Sequence, residues 1–526
     1  MDRRNFLKNT ALAVSSFSLA AQSSEASSNR IKSPDIQKRP NILFCMSDDQ
    51  TWLHTSVAGD PVIKTPNFDR LAREGILFTN SFTSCPSCAP SRAAILTGQN
   101  FWRLEEGGLL FGRLKKKFPI YTKLLSDAGY VVGQTGKGYG PANQDFDYTW
   151  KNPCGKVWEK FLKKMPFEGE DEEEEGVAEV DYAGAFEDFI KARDKSKPFC
   201  FWYGGFEPHR DFIYGSGAKS GMNPDKVNIP PFFPDSEQIR NDICDYLLEI
   251  QWFDRHLGRM LKTLQENGEL DNTIIVVTSD NGMPFPRAKA TIYNYGVHMP
   301  LAIRWPSGIK KTGRVVDDFV NHIDFAPTFL QAAGVKVPKE MTGRSLMNIF
   351  QSNKSGWIDP ARDMTVVGLE RHTWTRPDGK TYPRRAIYTK DYAYIRNYES
   401  DRWPMGGPEF EASHQGTFGD IDDSPTKSYM MQHQNDEKVK KLFAMSFGKL
   451  GAEELYAIDK DPAQMNNLAD DSAYTEIKAK LRKRMEDYQK ATGDPRVKGQ
   501  SPWDDYLFYD GRKYLKGKYL KEIKPL

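Results

Sequence analysis

Residues 41–47, Asn-Ile-Leu-Phe-Cys-Met-Ser, form a nearly continuous apolar run that ends in Asp48-Asp49. Residues 273–278 repeat the arrangement ahead of Ser279-Asp280-Asn281-Gly282. Short apolar runs without polar alternation are the pattern of strands covered on both faces in a parallel sheet. Further strands are predicted at 131–134, 199–203 and 301–304, and helical spacing covers 67–73, 121–127, 237–265 and 325–333. Strands and helices therefore alternate over residues 39–369, which predicts an α/β fold with a mixed, mostly parallel sheet flanked by helices. Two strands that end in carboxylate or amide side chains match the ligand-binding edge of an open α/β sheet. From residue 384 the pattern changes. Residues 385–388 and 392–397 read as a hairpin turning at Lys390-Asp391, and Ile477, Leu481, Met485 and Tyr488 mark one face of a helix at 474–490. The expected organisation is a catalytic domain over 38–383 and a smaller antiparallel α+β subdomain over 384–526.

Charge removes some partners. The 526 residues carry 73 Lys+Arg against 71 Asp+Glu, a formal +2, with mean hydropathy -0.63. No basic surface for nucleic acid is indicated, and no uncharged apolar stretch reaches the ~20 residues of a membrane span. Arg3-Arg4 stands before a short apolar stretch that exits at Ala20-Ala21. Residues 1–29 thus read as a twin-arginine-type signal peptide, and the mature protein is expected to be periplasmic or secreted. The acidic run at 170–175 reads as a solvated loop, because it lacks the alternating ligands of a calcium loop. The six cysteines show no disulfide framework. Cys85 and Cys88 form a C-x-x-C without a second ligand pair, while Cys45 and Cys200 lie in apolar runs and read as core thiols.

Cys88-Ala89-Pro90-Ser91-Arg92, followed by Thr97-Gly98, resembles the signature of the type I sulfatase family, C-x-P-S-R with a downstream T-G. Asp48-Asp49, Gly136-Lys137, Pro208-His209, Asp280-Asn281-Gly282 and Lys289 follow in that family's order, and Glu454-Leu455-Tyr456 is similar to a motif of its C-terminal subdomain. The resemblance implies an alkaline-phosphatase-like fold and conversion of Cys88 to formylglycine by a maturation enzyme. It further implies that one hydroxyl of the hydrated aldehyde attacks sulfur and the other then expels sulfate. Asp48, Asp49, Asp280 and the Asn281 amide oxygen, with residue 88, would hold a divalent cation; an all-oxygen set suits Ca2+, or Mg2+, better than zinc. Arg92 would neutralise the nucleophile, Lys137 and Lys289 would bind sulfate oxygens, and His209 would serve the leaving group.

Sub-motifs at 207–210 and 280–286 resemble the heparan N-sulfatase branch, which implies a sulfated amino-sugar or another sulfated oligosaccharide or polysaccharide as substrate. Glu207, Arg210, His298, Arg371 and His372 are the expected substrate contacts, with Arg384-Arg385 as further candidates for anionic groups. One departure bears on mechanism. The family shows G-K-x-H where this chain has Gly136-Lys137-Gly138-Tyr139, so Tyr139 takes the place of a histidine. Its phenol is a poor base at neutral pH, and a positional role in catalysis is expected instead. The alternatives are an O-sulfatase of a marine or host polysaccharide, a phosphatase or phosphodiesterase of the same superfamily, and a silent glycan-binding relative.

Overall fold

The computed structural model describes residues 39–142, 150–162, 179–409, 416–506, 508–509 and 514–515; the expected leader at 1–29 and the acidic run at 170–175 lie outside them. Asn41–Ser47 is the buried strand expected, and it pairs in parallel with Phe199–Gly204 on one side and Thr273–Ser279 on the other. The whole sheet runs Arg314–Val316, Ile76–Phe78, Ala302–Arg304, Thr273–Ser279, Asn41–Ser47, Phe199–Gly204, Val131–Gly136, Lys156–Val157. Among the described strands only Ala302–Arg304 runs antiparallel to its neighbours, so the sheet is mixed and mostly parallel as the apolar runs predict.

Helices cover both faces because side chains alternate across a strand. Leu43 and Cys45 face one layer, where Phe186 and Phe189 of Tyr182–Ala192 and Leu257 and Leu261 of Glu237–Glu266 pack. Ile42, Phe44 and Met46 face the other, against Ala89, Ala93 and Leu96 of Cys88–Thr97 and Phe325 and Phe329 of Phe325–Ala332. The 30-residue helix Glu237–Glu266 begins where Ser236 accepts a hydrogen bond from the Ile239 amide, a side-chain N-cap.

A second, antiparallel sheet runs Met364–Leu369, Arg384–Thr389, Ala393–Asn397, Glu453–Tyr456. The hairpin is the expected one, but the sheet reaches back to Met364. The strand at 364–369, read with the α/β alternation, instead pairs residue by residue with Arg384–Thr389. Packing covers both its faces, with residues 365–369 all buried. Thr475–Thr492 lies on this sheet, with Leu481 and Met485 buried and Ile477 and Tyr488 partly so. One continuous core holds Phe82, Tyr246 and Phe285 together with Val366, Ile387, Leu455 and Met485.

Candidate active site

Parallel strands that share a direction deliver the residues following them to one edge. Asn41–Ser47 and Thr273–Ser279 are in register, Ser47 beside Ser279, so Asp48-Asp49 and Asp280-Asn281 leave the sheet side by side. Lys137 follows the strand Val131–Gly136 and donates its amide to the Gly204 carbonyl at 2.7 Å, next to the turn that carries Glu207 and His209. Cys88 is the first residue of the wholly buried helix Cys88–Thr97, so its side chain lies at the positive end of a helix dipole.

These segments converge on a compact charged cluster. Carboxylate oxygens of Asp48, Asp49 and Asp280 lie within 4.8 Å of one another, and so do ligand atoms of Asp48, Cys88 and His209. Arg92, fully buried, joins the group: its Nε donates to Asp280 Oδ2 at 2.8 Å, Nη2 to Asp48 Oδ1 at 3.3 Å, and Nη1 to the carbonyls of Lys137 and Gly138 at 2.7 and 2.9 Å. Lys137 Nζ pairs with Asp48 Oδ2. Lys289 Nζ is 2.8 Å from Asp49 Oδ2, 2.8 Å from Asp422 Oδ2 and 3.1 Å from His209 Nε2. Asp49 has φ 78°, a left-handed conformation that Asp tolerates better than most residues and that clusters at functional sites.

The electrostatics follow from burial and charge. Burial, then the neighbouring Asp48, pushes Asp280 up to about 7, despite Arg92 and Lys137. Burial and the charges of Asp48 and Asp422 outweigh Lys289 at Asp49, pushed up to about 6. For Asp48 burial is outweighed by Lys137 and Arg92, which hold it well below the usual carboxylate range. Burial and the carboxylates push the Cys88 thiol, 3.5 Å from Asp48 Oδ1, well above its ordinary value. As a plain thiol it is a poor nucleophile here. His209 has its Nδ1–H on the Arg210 carbonyl at 2.6 Å, so the ring turns Nε2 toward the site; desolvation and the Lys289 ammonium hold its pKa below the ordinary value.

Asn281 tests the site for a cation. Its amide donates to Asp49 Oδ1 at 2.6 Å and to the Gly282 carbonyl, while its Oδ1 is buried with no hydrogen-bond partner. An orphaned amide oxygen beside three carboxylates is an all-oxygen donor set, and such a set fits a hard divalent cation.

Cys88, Arg92, Lys137, His209, Lys289, Asp48, Asp49, Asp280 and Asn281 are thus brought together. Most of the expected substrate contacts have other tasks. His298 is sandwiched between Trp52 and Phe82, with ring centroids at 4.5 and 4.6 Å, and its Nε2–H donates to the Thr79 carbonyl at 2.7 Å. Arg371, 1% exposed, donates to the carbonyls of Gly379 and Tyr506 beside the Trp374 and Phe508 rings. Arg210 is bidentate to Asp242 at 2.8 and 3.0 Å, donates from Nε to the Pro284 carbonyl, and lies between the Phe212 and Phe285 rings. Glu207 is 2% exposed with its carboxylate near the Tyr182 hydroxyl, and its carbonyl accepts the Asp48 amide. Arg384 and Arg385 are buried too, the latter paired with Glu370 and Asp494. The four guanidinium groups and the His298 imidazole, which look like ligand contacts on paper, satisfy buried groups of the chain itself. Tyr139 is 5% exposed in the apolar cluster that contains Cys88, its backbone fixed by Asn152. His372 does reach the site's border: its Nδ1 is 2.8 Å from the hydroxyl of Ser87, the residue before Cys88.

The sequence reading missed Asp422. It lies 142 positions after Asp280 in an Asp-Ile-Asp-Asp stretch with no motif, and only the fold brings it to Lys289.

Comparison with known proteins gives the family. The family model described as Sulfatase matches residues 40–335, and that described as N-sulphoglucosamine sulphohydrolase, C-terminal, matches residues 287–407. An ulvan-active sulfatase of Formosa agariphila is 29% identical over 471 residues, covering 88% of this chain and 82% of its own. The N-sulphoglucosamine sulphohydrolase of Homo sapiens is 27% identical over 498 residues, covering 87% and 91%. A protein solved in complex with its substrate D-glucosamine-2-N,6-O-disulfate shares the fold at TM-score 0.61 and 23% identity, over 88% of this chain and 100% of that one. The chain belongs to the sulfatase family and is a sulfuric ester or sulfamate hydrolase.

Proposed function

We propose that the protein removes sulfate from a sulfated glycan, with residue 88 carried as formylglycine and a divalent cation, calcium or magnesium, held by Asp48, Asp49, Asp280 and Asn281. The observation that carries this reading is the position of Cys88: the head of a buried helix, 3.5 Å from a carboxylate that belongs to a three-carboxylate cluster. Thiolate formation is disfavoured there, so an oxygen nucleophile made from this residue accounts for its placement better than the sulfur does. Formylglycine supplies a hydrated aldehyde, whose hydroxyl can attack sulfur and whose second hydroxyl allows sulfate to leave. A bound divalent cation supplies charge that favours the ionised hydroxyl.

The chain's own groups do the rest. Arg92 bridges Asp48 and Asp280, and draws the loop at Lys137 and Gly138 onto the cluster. Lys137 and Lys289 place ammonium groups on either side of the carboxylates, where they bind sulfate oxygens and oppose the charge that builds on them. His209, oriented by the Arg210 carbonyl, holds Nε2 at the open side of the site to exchange a proton with the leaving atom. Arg210 acts through that carbonyl, positioned by Asp242. Tyr139 lines the site as packing.

For substrate, an N-sulfo amino-sugar is favoured by the family model over residues 287–407 and by the human relative; the ulvan-active relative favours an O-sulfo sugar as the second reading. The twin-arginine reading adds export after folding, and the formylglycine reading adds a maturation enzyme acting on Cys88. Two measurements test the proposal. Mass spectrometry of the tryptic peptide 74–92 from natively expressed protein should show formylglycine at 88. N-sulfoglucosamine, 6-O-sulfated N-acetylglucosamine and sulfated uronate or galactose oligosaccharides, offered side by side, should release sulfate from the first. Sulfate from an O-sulfated sugar alone would replace the N-sulfo reading, and an active enzyme with an unmodified thiol would overturn the mechanism.

A further inference from the structure

Lys289 lies between two carboxylates that arrive from opposite ends of the chain. Asp49 follows the central strand of the large sheet, whereas Asp422 comes from the segment after the antiparallel hairpin, and each places an oxygen 2.8 Å from Nζ. His209 Nε2, at 3.1 Å, is the third neighbour. A lysine with Asp49 as its only carboxylate partner would close on that carboxylate, on the side where a cation is proposed. A second carboxylate opposite divides the attraction, and the ammonium stays between them, beside His209, instead of closing on Asp49.

Asp422 is itself firmly held, as a positioning group must be. Two residues before it, Asp420 accepts the Thr373 amide and hydroxyl at 2.8 and 2.7 Å and pairs with Arg376 at 2.8 Å. Directly before it, the Ile421 carbonyl accepts Lys427 Nζ at 2.9 Å, and the same ammonium reaches Asp423 at 2.9 Å. Asp422 is 6% exposed, so its carboxylate has little freedom to swing to solvent. His372, one residue before Thr373, touches Ser87 beside Cys88, so one loop system borders both the nucleophile helix and Lys289.

We propose that Asp422 is a positioning residue, which holds Lys289 midway between Asp49 and itself so that the ammonium faces the sulfate group. The inference rests on the reading of Lys289 as a sulfate-binding cation and deepens it: the C-terminal segment then takes part in the anion site through an ion pair across the molecule.

A double-mutant cycle on the full calcium-loaded chain tests this, with inorganic sulfate as the probe, calorimetry for its affinity, and kcat and KM measured in parallel. Asp422→Asn should weaken sulfate binding about tenfold, within the range for coupled neighbours. In a Lys289→Met background the same substitution should change sulfate affinity less than twofold, because the group it positions is gone. A purely structural role would move the melting temperature and act equally in both backgrounds. Asp422→Glu, which keeps the charge, should recover part of the affinity. An Asp422→Asn protein that binds sulfate like wild type, or an equal loss in both backgrounds, overturns the proposal. Failure of the enzymatic reading looks different: the coupled loss of sulfate binding would remain while no sulfated sugar is hydrolysed.

Discussion

His298→Phe separates a packing histidine from a substrate contact. In the folded chain the ring lies between Trp52 and Phe82 and donates Nε2–H to the Thr79 carbonyl, and burial brings its pKa down from 6.5 to about 3. The unfolded chain takes up a proton on this ring below about pH 6.5, whereas the folded chain resists until about pH 3. The unfolded state therefore binds more protons across that window, so stability is unaffected above about 6.5 and is lost as pH falls through it. At pH 5 the loss amounts to about 2 kcal/mol, from roughly 1.4 kcal/mol per pH unit below the unfolded pKa. Phenylalanine keeps the stack and forfeits the Thr79 hydrogen bond, at a cost of about 1 kcal/mol. His298→Phe should then be less stable than wild type by about 1 kcal/mol at pH 7.5 and more stable by about the same amount at pH 5, from the two terms together. Urea unfolding followed by far-UV circular dichroism at the two pH values reads the crossing directly. KM at pH 7.5 should stay within about twofold, since both faces of the ring are covered. Parallel pH dependences in the two proteins would refute the burial argument, and a tenfold rise in KM with unchanged stability would return His298 to the substrate site.

Cys88→Ala should abolish turnover while the melting temperature moves by only a few degrees, because a small buried side chain is removed without loss of a helix cap; substantial activity in the purified variant would sink the covalent mechanism. Asp280→Asn should lower calcium affinity at least tenfold by calorimetry, since one anionic oxygen leaves the donor set, and unchanged affinity would place the cation elsewhere. Tyr139→Phe should retain turnover within about threefold, as expected of a residue packed in the apolar cluster, whereas a hundredfold fall in kcat would show its hydroxyl reaching the reacting group. Arg371→Met should cost roughly 2–3 kcal/mol in urea unfolding through two unpaired carbonyls and lost ring contacts, and leave KM unchanged; the reverse pattern would restore it as a substrate contact.

The parts of the fold legible in the sequence are those whose signal is local. The apolar runs at 41–47 and 273–278 could only be strands covered on both faces, and the carboxylates that end them mark the site before any tertiary contact is known. The Cys88 motif is equally local, because Cys88 and Arg92 share one helix. What the sequence does not reveal is which charged residues the fold buries. Arg210, Arg371 and Arg385 are cations in a charged neighbourhood of the sequence, and nothing local says that Asp242, the Gly379 carbonyl or Asp494 will meet them. His298 reads the same in a pocket wall and in a stack of three rings. Asp422 could not be found at all, since its chemical meaning comes from Lys289, 133 positions earlier.

The charge of the cluster gives a reason for its composition. Asp48, Asp49, Asp280 and Asp422 face Arg92, Lys137 and Lys289, four negative groups against three positive ones, so the fully ionised set carries −1. Burial and mutual repulsion answer that excess by pushing Asp49 to about 6 and Asp280 to about 7, so protons stand in for missing positive charge. On the reading proposed above, a divalent cation takes over from those protons and turns the balance from −1 to +1. The sign change matters because the substrate is an anion. Without the cation the carboxylates oppose a sulfate group that Lys137 and Lys289 attract, and with it Asp48, Asp49 and Asp280 would be spent on the metal, leaving Asp422 alone to face the ammonium groups. On that reading cation binding would strengthen sulfate binding, and by linkage bound sulfate would strengthen the hold on the cation by the same factor. On the proposed reading, the carboxylates and lysines that look mutually cancelling in the sequence are two halves of one anion site.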